Sequence, residues 1–376
     1  MEQRARIQIV KIAFDHQVFV LQQYGGISRY ICNLAEHLSA LPETNTQIFA
    51  PFHFNQHLNA TKNLNCSGRI LPQLPSKLTR VAMETSKYCS RRAMKKFSPD
   101  IIHETYFTTQ DFKTTGAKRI LTVYDMIHER YADMFDQAHK TSAPKKTASL
   151  RADHVICISE NTRKDLIEFC GVPEERTSVV YLSADKIFSQ LKDERLEKKN
   201  KPFLLYVGSR GGYKNFNKFV KAFASSNQLK QNFDIRCFGG GPFSKAEMEM
   251  MVDAGLSEMQ IHYHSGEDQE LAELYQQAEA FIYPSLYEGF GIPPLEAMAA
   301  GCPVLSSNTS SLPEVVGNAG VYFDPTEQDD IQSSLEKVIG NETCKRDLVE
   351  KGFEQHKKFS WEKCTRETMN IYKGVS

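Results

Sequence analysis

The stretch YPSLYEGFGIPPLEAMAAGCPV, residues 283–304, holds Glu288 and Glu296 with seven residues between them, among them Gly289, Phe290, Gly291, Ile292 and two prolines. A carboxylate accepts two hydroxyl hydrogen bonds at once, so Glu296 suits the vicinal diol of a ribose. Glu288, on a loop beside two glycines, suits a sugar ring whose hydroxyls meet bare backbone amides. AFIYPS reads as a strand and LYEGFG as the loop leaving it. PPLEAMAA then reads as a short helix, with Pro293 or Pro294 in its first turn, Glu296 in that same turn, and a stop at Gly301. Unpaired amides and the helix dipole at such an N-terminus favour phosphate. A dipole satisfied by Glu296 and a turn that simply needs glycine is the alternative for this segment.

YVGSRGGYKNF, residues 206–216, places Ser209, Arg210 and Lys214 on a glycine-containing loop at the end of another strand. Two cations there suit a diphosphate and offset charge on a leaving group; solvated surface is the alternative for such a loop. CFGGGPF, residues 237–243, lets a flat base approach the backbone or makes a tight turn. Earlier in the chain, Gly25 and Gly26 precede a helix opening near Ile27, where a phosphate or sugar can come close. LTVYDMIHE gathers Tyr124, Asp125, His128 and Glu129 at one strand end, and DIIHETYF does the same for His103 and Glu104. His103 is equally readable as a hydrogen-bonded strand residue. Ser159 reads as the N-cap of the helix that follows it. A dinucleotide-binding reading fails, because GxGxxG is absent after the first strand and no acid closes the next one.

These residues need strands to hold them at one edge, and the chain supplies strands. Apolar runs rich in Val and Ile, at 7–15, 46–52, 100–107, 119–125 and 153–159, alternate with amphipathic segments. A second series follows at 203–209, 234–240, 280–285, 303–308 and 320–325. Strands apolar on both faces predict parallel sheets covered by helices. LKDERLEKKNKP, residues 191–202, is charged and closed by proline, and reads as a linker between a domain at 1–190 and another at 203–358. Two doubly wound domains would bind a ligand at the carboxyl ends of their strands, in a cleft between them.

The 376 residues suffice for two domains, and Lys+Arg and Asp+Glu both total 46, so net charge points to no nucleic-acid partner. The nine cysteines lack CxxC spacing and several lie in apolar runs, as buried reduced thiols do. No run of about 18 apolar residues suggests a membrane span, and the N-terminal MEQRARIQIVKIAFD has no signal-peptide core. A cytoplasmic protein is expected. SKLTRVAMETSKYCSRRAMKKF, residues 76–97, carries seven basic residues against the single acid Glu84, with an imperfect apolar face. It reads as a solvated helix or as one that lies on anionic lipid at the cytoplasmic face of the inner membrane.

Taken together, these motifs resemble glycosyltransferase family 4 of the GT-B fold. The signature runs from Tyr283 through SSNTSSLPEVVGNAG, supported in order by YGGISRY, TVYDMIHE, ICISENTRKDL and YVGSRGGYKNF. The likeness extends from about residue 7 to the end and is strongest toward bacterial O-antigen and polysaccharide mannosyltransferases. The resemblance implies an α/β GT-B chain of two Rossmann-like domains, with residues 359–376 as a helix crossing back onto the first. It implies Glu288 near the donor sugar, Glu296 on the nucleotide ribose, and Arg210 and Lys214 on the diphosphate. Gly289, Phe290 and Gly291 would present amides to the sugar, and Gly26 would lie against the donor. Many relatives carry histidine at the position of Tyr124, so Tyr124 or Asp125 takes over that polar role here.

The expected activity is retaining transfer of a sugar, mannose as first guess, from GDP-mannose or a UDP-sugar to a growing, lipid-linked surface polysaccharide. The expected catalytic set is Glu288, Arg210, Lys214 and Asp125. The binding set is Gly25, Gly26, Tyr124, His103, Ser209, Gly289, Phe290, Gly291, Ile292 and Glu296. The nucleotide sugar is a substrate, and no cofactor or metal is expected, since Asp-x-Asp is absent. An epimerase or hydrolase on the same fold, and a non-catalytic nucleotide-sugar-binding subunit, are the rival readings.

Overall fold

The computed structural model describes residues 9–61, 64–72, 76–111, 116–190 and 201–375. The chain divides into two compact units, 1–182 with 361–376 and 183–360. The division falls ahead of the charged run at 191–202, of which residues 191–200 lie outside the described residues. Lys186–Phe188 already packs with the second unit, where Phe188 meets the edge of Tyr275 at 6.0 Å.

In the first unit the strands are β1 (Val10–Phe14), β2 (Thr44–Ile48), β3 (Phe52–His53), β4 (Arg69–Ile70), β5 (Ile101–Glu104), β6 (Lys118–Val123), β7 (His154–Cys157) and β8 (Thr177–Val179). β3 and β4 pair by themselves, and the other six form a parallel sheet in the order β2-β1-β5-β6-β7-β8. The second unit holds β9 (Phe203–Val207), β10 (Asp234–Phe238), β11 (Ile261–His264), β12 (Ala280–Tyr283), β13 (Val304–Ser307) and β14 (Gly320–Phe323), in the order β11-β10-β9-β12-β13-β14. All of these pairings are parallel. The strand order therefore reverses between β1 and β5 in one sheet and between β9 and β12 in the other. Crossovers diverge at such a point and leave a crevice at the carboxyl ends of its two strands.

Burial explains why these segments are strands and helices. β9 and β12 are buried on both faces along their whole length, as central strands of a covered parallel sheet must be. The helix Phe216–Ser225 buries Phe216, Phe219, Val220 and Phe223, the i, i+3, i+4, i+7 stripe of one helical face. That stripe packs on Tyr206 of β9 with ring centroids 4.9 Å (Phe216) and 6.4 Å (Phe219) away. Each such ring removed from water contributes on the order of 2 kcal/mol.

The C-terminal helix Trp361–Val375 belongs to the first unit. It buries Trp361, Cys364, Thr368, Met369 and Tyr372 along one face, and Trp361 lies 6.2 Å from Tyr30 of the helix Gly26–Ser39. His103 of β5 pins this helix to the sheet, with Nδ1 2.6 Å from the Tyr372 hydroxyl and Nε2 2.8 Å from Thr122 Oγ1. The ring has no exposed surface. His103 therefore leaves the set of ligand-binding candidates, because both nitrogens are engaged inside the unit.

Burial lowers the His103 pKa to about 3 from 6.5. Between those values the unfolded chain takes up a proton that the native ring refuses, so stability falls as pH drops below about 6.5. The loss approaches about 1.4 kcal/mol per pH unit for this one group. Urea unfolding at a series of pH values from about 7 to about 5 should show a shallower decline in His103→Asn than in the parent. Parallel declines would remove His103 as the source.

Candidate functional site

The second unit's crevice forms where β9 and β12 part. From the end of β9 the chain runs through Ser209 and Arg210 to Lys214. From the end of β12 it runs through Ser285 to Glu288, Gly289 and Phe290. Backbone and side-chain bonds knit the two loops together. The Leu286 amide donates to the Tyr213 carbonyl at 2.8 Å, and Asn215 Nδ2 donates to the Pro284 carbonyl at 3.1 Å and the Pro325 carbonyl at 2.8 Å. Asn215 holds a left-handed conformation at φ 58°, one that asparagine tolerates better than most residues.

Lys214 and Glu288 meet across this crevice, Nζ to Oε1 at 2.6 Å, with side chains 15% and 12% exposed. Lys214 Nζ also donates to the Tyr283 hydroxyl at 3.4 Å and lies over the Tyr213 ring at 5.1 Å. Glu288 is fixed through its backbone. Its amide donates to Ser310 Oγ at 2.9 Å, and its carbonyl accepts from Ser311 Oγ at 2.8 Å. Ser311 Oγ also lies 2.7 Å from the Phe290 carbonyl, so this one hydroxyl gathers the loop. Gly291 ends the loop at φ 122°, and a Cβ there would stand 3.0 Å from Leu312 Cδ2, so glycine is required.

Gly291 caps the helix Ile292–Ala299, with Pro293 in its first turn. No acid lies in that turn: the helix begins at Ile292, one residue before the proline pair, and Glu296 falls in the next turn. Glu296 is 6% exposed and accepts from the buried Tyr275 hydroxyl at 3.3 Å. Gly289, Phe290 and Gly291 are buried, and Ile292 is half-buried at the helix entrance. The arrangement offers helix N-terminal amides, a buried carboxylate on that helix and an ion pair beside it.

Arg210 is placed differently from a surface ligand. Its side chain is 2% exposed and donates from Nε to Glu247 Oε1 at 2.6 Å. The other donors reach the carbonyls of Gly239 at 3.0 Å, Gly241 at 2.7 Å and Pro242 at 3.1 Å. The guanidinium also lies 4.6 Å above the Phe243 ring. Gly239, Gly240 and Gly241 are all left-handed, and a Cβ on Gly240 would come 2.8 Å from the Gly208 carbonyl oxygen. Arg210 thus clamps the glycine loop after β10 onto the loop after β9. Ser209 is exposed, and its carbonyl accepts from the Tyr206 hydroxyl at 2.5 Å.

In the first unit, Asp15 at the end of β1 is occupied in bracing the switch point. It accepts from the Thr105 hydroxyl at 2.5 Å, the Thr105 amide at 3.2 Å and Gln17 Nε2 at 2.6 Å. Tyr124 is 6% exposed and donates to the Thr105 carbonyl at 3.3 Å, so its hydroxyl braces the same place. Asp125 is the accessible carboxylate of this edge, its side chain 36% exposed. The buried Lys145 lies 3.6 Å from it and donates to the Asp125 carbonyl and to Glu129 Oε2, each at 2.8 Å. Glu104 is paired with Arg151 at 2.7 Å inside the unit, where burial raises its pKa to about 7. Gly25 caps the helix Gly26–Ser39, and Gly26 is exposed with open space where a Cβ would be. Ser159 caps its helix by accepting from the Thr162 amide at 3.0 Å.

Sequence reasoning missed Tyr283, Ser310, Ser311 and Asn215, which hold Lys214 and Glu288, and Lys145, which holds Asp125. The serines lie inside the signature stretch, and their hydroxyls after a strand end were the available signal. Among the described residues no group of three or more His, Cys, Asp or Glu side chains is arranged to hold a metal ion.

Removing the Arg210 clamp should destabilise the second unit. Arg210→Ala leaves three carbonyls and Glu247 Oε1 without the Arg210 donor, a loss expected at about 2–4 kcal/mol. Arg210→Lys should recover little, because an ammonium cannot reproduce the planar fork. Urea unfolding of both variants tests this; full stability in Arg210→Lys with loss of nucleotide binding alone would return Arg210 to the ligand.

Comparison with known proteins extends the geometry. Residues 24–186 match the sequence profile of Glycosyltransferase Family 4, and residues 188–355 match that of Glycosyl transferases group 1. The chain is 31% identical over 228 residues to O-antigen chain mannosyltransferase B of Escherichia coli, covering 58% of this chain and 60% of that relative. It thus spans about 60% of the relative's length. Among solved structures it is similar to sucrose-phosphate synthase from Thermosynechococcus elongatus, with a TM-score of 0.77 at 20% identity over 97% of this chain and 99% of the other. It is also similar to HepE of Anabaena in complex with UDP-glucose, with a TM-score of 0.75 at 16% identity over 97% and 99% of the two chains. At these identities the structural likeness concerns fold alone.

Proposed function

The chain belongs to the GT-B glycosyltransferases, a family 4 domain followed by a group 1 domain, and from that premise we propose that it transfers a sugar from a nucleoside-diphosphate donor to a glycan. The observation that carries the proposal is the Lys214–Glu288 pair at the β9/β12 switch point. It lies one loop away from a glycine-capped helix N-terminus and from the buried Glu296. Mannose is the proposed sugar and a growing, lipid-linked surface polysaccharide the proposed acceptor, as the similarity to an O-antigen mannosyltransferase supports. GDP-mannose is the first donor proposed, from the resemblance of the motifs to mannosyltransferases, and a UDP-sugar is the second.

In this reading the helix amides and Lys214 hold the diphosphate, Glu296 takes the ribose diol, and Glu288 orients the sugar with the amides of Gly289 to Gly291. The route takes its positive charge from Lys214, with Arg210 holding the glycine loop in place. Charge on the departing phosphate grows as the bond to the sugar breaks, so a fixed cation acts most strongly in the transition state. Asp125 is proposed to take, in the first unit, the polar role that many relatives give to a histidine at position 124. A lipid-linked acceptor would be met at the inner face of a membrane. The helix Ser76–Phe97, which exposes Val81 (62%) and Tyr88 (66%) among basic residues, is the surface proposed for anionic lipid.

Turnover of GDP-mannose and UDP-sugars with and without glycan acceptors tests the proposal directly. Acceptor-dependent turnover is expected; turnover without acceptor would make the protein a hydrolase or epimerase. The two glutamates should separate by ligand. Glu296→Gln is expected to weaken binding of the nucleoside diphosphate itself by about tenfold, the scale of one hydrogen bond to a charged group. Glu288→Gln should act chiefly on the intact sugar nucleotide. Equal effects of both variants on both ligands, by calorimetry, would show the roles misassigned.

The transfer should retain the donor's anomeric configuration. An inverting enzyme needs a base on the face opposite the leaving group to take the acceptor's proton. Of Asp15, Glu104 and Asp125, the first two are engaged by Thr105 and Arg151, and Asp125 is the accessible one. In the retaining route the departing phosphate, stabilised by Lys214, takes that proton on the same face. NMR of the first product decides: an α-linked donor giving a β-linked product would sink this route and make Asp125 the base.

A further inference from the structure

Lys145 is a charged residue in an apolar place. It sits on the helix His139–Arg151 with its side chain 1% exposed, and its ammonium lies 5.4 Å from the centre of the Phe107 ring. Ala148 of the same helix packs with Leu121, Val123 and Met126 in the core. Burying an ammonium is costly, and an apolar side chain would fill the same space at less cost. The use of the charge is therefore read from its partners.

Lys145 Nζ donates to the Asp125 carbonyl and to Glu129 Oε2, each at 2.8 Å, and stands 3.6 Å from Asp125 Oδ1. The Ile127 amide donates to that same Oδ1 at 3.1 Å. One oxygen of Asp125 is thus turned to protein donors, and Oδ2 has no partner among the described residues. Asp125 and Glu129 share this one ammonium, and their side chains are 36% and 8% exposed. Without the lysine the two carboxylates would repel, and the more exposed Asp125 would turn toward water. We infer that Lys145 is a positioning residue that fixes the backbone and Oδ1 of Asp125, so that Oδ2 is offered to a sugar hydroxyl. The inference rests on the polar role proposed for Asp125 and adds to it the residue that sets its orientation. The hydroxyl belongs to the transferred sugar or to the acceptor glycan, which present the same donor, and kinetics separate the two.

Lys145→Met alone would strand Glu129, whose Oε1 is buried and meets no donor among the described residues. The comparison is therefore made in a Glu129→Gln protein. There, adding Lys145→Met should lower kcat/KM for acceptor-dependent turnover of GDP-mannose about tenfold, the size of one hydrogen bond to a charged group. A raised KM for GDP-mannose assigns the hydroxyl to the transferred sugar; a raised KM for the glycan assigns it to the acceptor. With Asp125→Asn also present, Lys145→Met should cause no further loss, because no carboxylate is left to orient. A merely structural lysine would lower turnover equally in both backgrounds, and that result overturns the inference. Unchanged kcat/KM on adding Lys145→Met to Glu129→Gln overturns it too. If the parent transfers no sugar, the proposed function and this inference fall together. If Asp125→Asn transfers as the parent does, the role of Asp125 falls and takes this inference with it, while the rest of the proposed function stands. If Asp125→Asn is impaired and Lys145→Met makes no difference, only the role of Lys145 falls. Thermal melting of each variant, expected to show one cooperative transition, confirms that folded proteins are compared.

Discussion

A lysine and a glutamate in contact at 2.6 Å, each mostly withdrawn from water, govern how the second unit is built. Taking two charges out of water is costly, and their attraction offsets the cost only when the geometry is held closely. The surrounding polar groups do that holding. Tyr283 meets the lysine, Ser310 and Ser311 fix the backbone on which Glu288 stands, and Asn215 ties the lysine's loop to Pro284 and Pro325. The sheet topology places the pair where such holding is possible. At the β9/β12 switch point the crossover helices diverge, and the loops that leave the two strands meet each other.

The first unit also has a switch point, in a different strand order and with a different outcome. Its switch point lies between β1 and β5, and the acid there, Asp15, accepts from Thr105 and Gln17 of its own unit. Tyr124 donates to the Thr105 carbonyl and reinforces the same brace. The polar chemistry of this edge therefore moves one strand along, to Asp125 at the end of β6, beside a buried lysine. A tyrosine at position 124 explains part of this shift: its hydroxyl reaches a backbone carbonyl, which leaves Asp125 as the polar group facing water.

The central strands were legible because they are buried on both faces and read as unbroken apolar runs. The edge strands β8 and β11 were not. Each buries its first residue and leaves the rest half-exposed, and segments such as IHYH have no apolar run to announce them. In the site, glycine spacing and the two glutamates gave away the loop and its helix. Residue type could not tell which cations face a ligand. Arg210 and Lys214 share a loop, but only the fold puts Arg210 among carbonyls contributed from 29 to 32 positions away. Of the two readings open for His103, the hydrogen-bonded strand residue is the one the fold selects, and sequence could not choose it because its partner Tyr372 lies 269 positions along the chain. The Ser310 and Ser311 braces come from a neighbouring strand end, and no spacing rule links them to Glu288.

The division of labour between Arg210 and Lys214 follows from their chemistry. A guanidinium is a rigid planar fork, and a site with one carboxylate and three carbonyls fixed around it satisfies that fork without movement. An ammonium on a flexible stem is a compact charge that can exchange one anion for another. Lys214 has an anion in place, a phenol beside it and tyrosine rings below it. Its stem can shift by small rotations without breaking a planar array. The cation proposed to serve a phosphate as well as a carboxylate is therefore better made from lysine. The cation that must never move, because a run of three left-handed glycines depends on it, is better made from arginine.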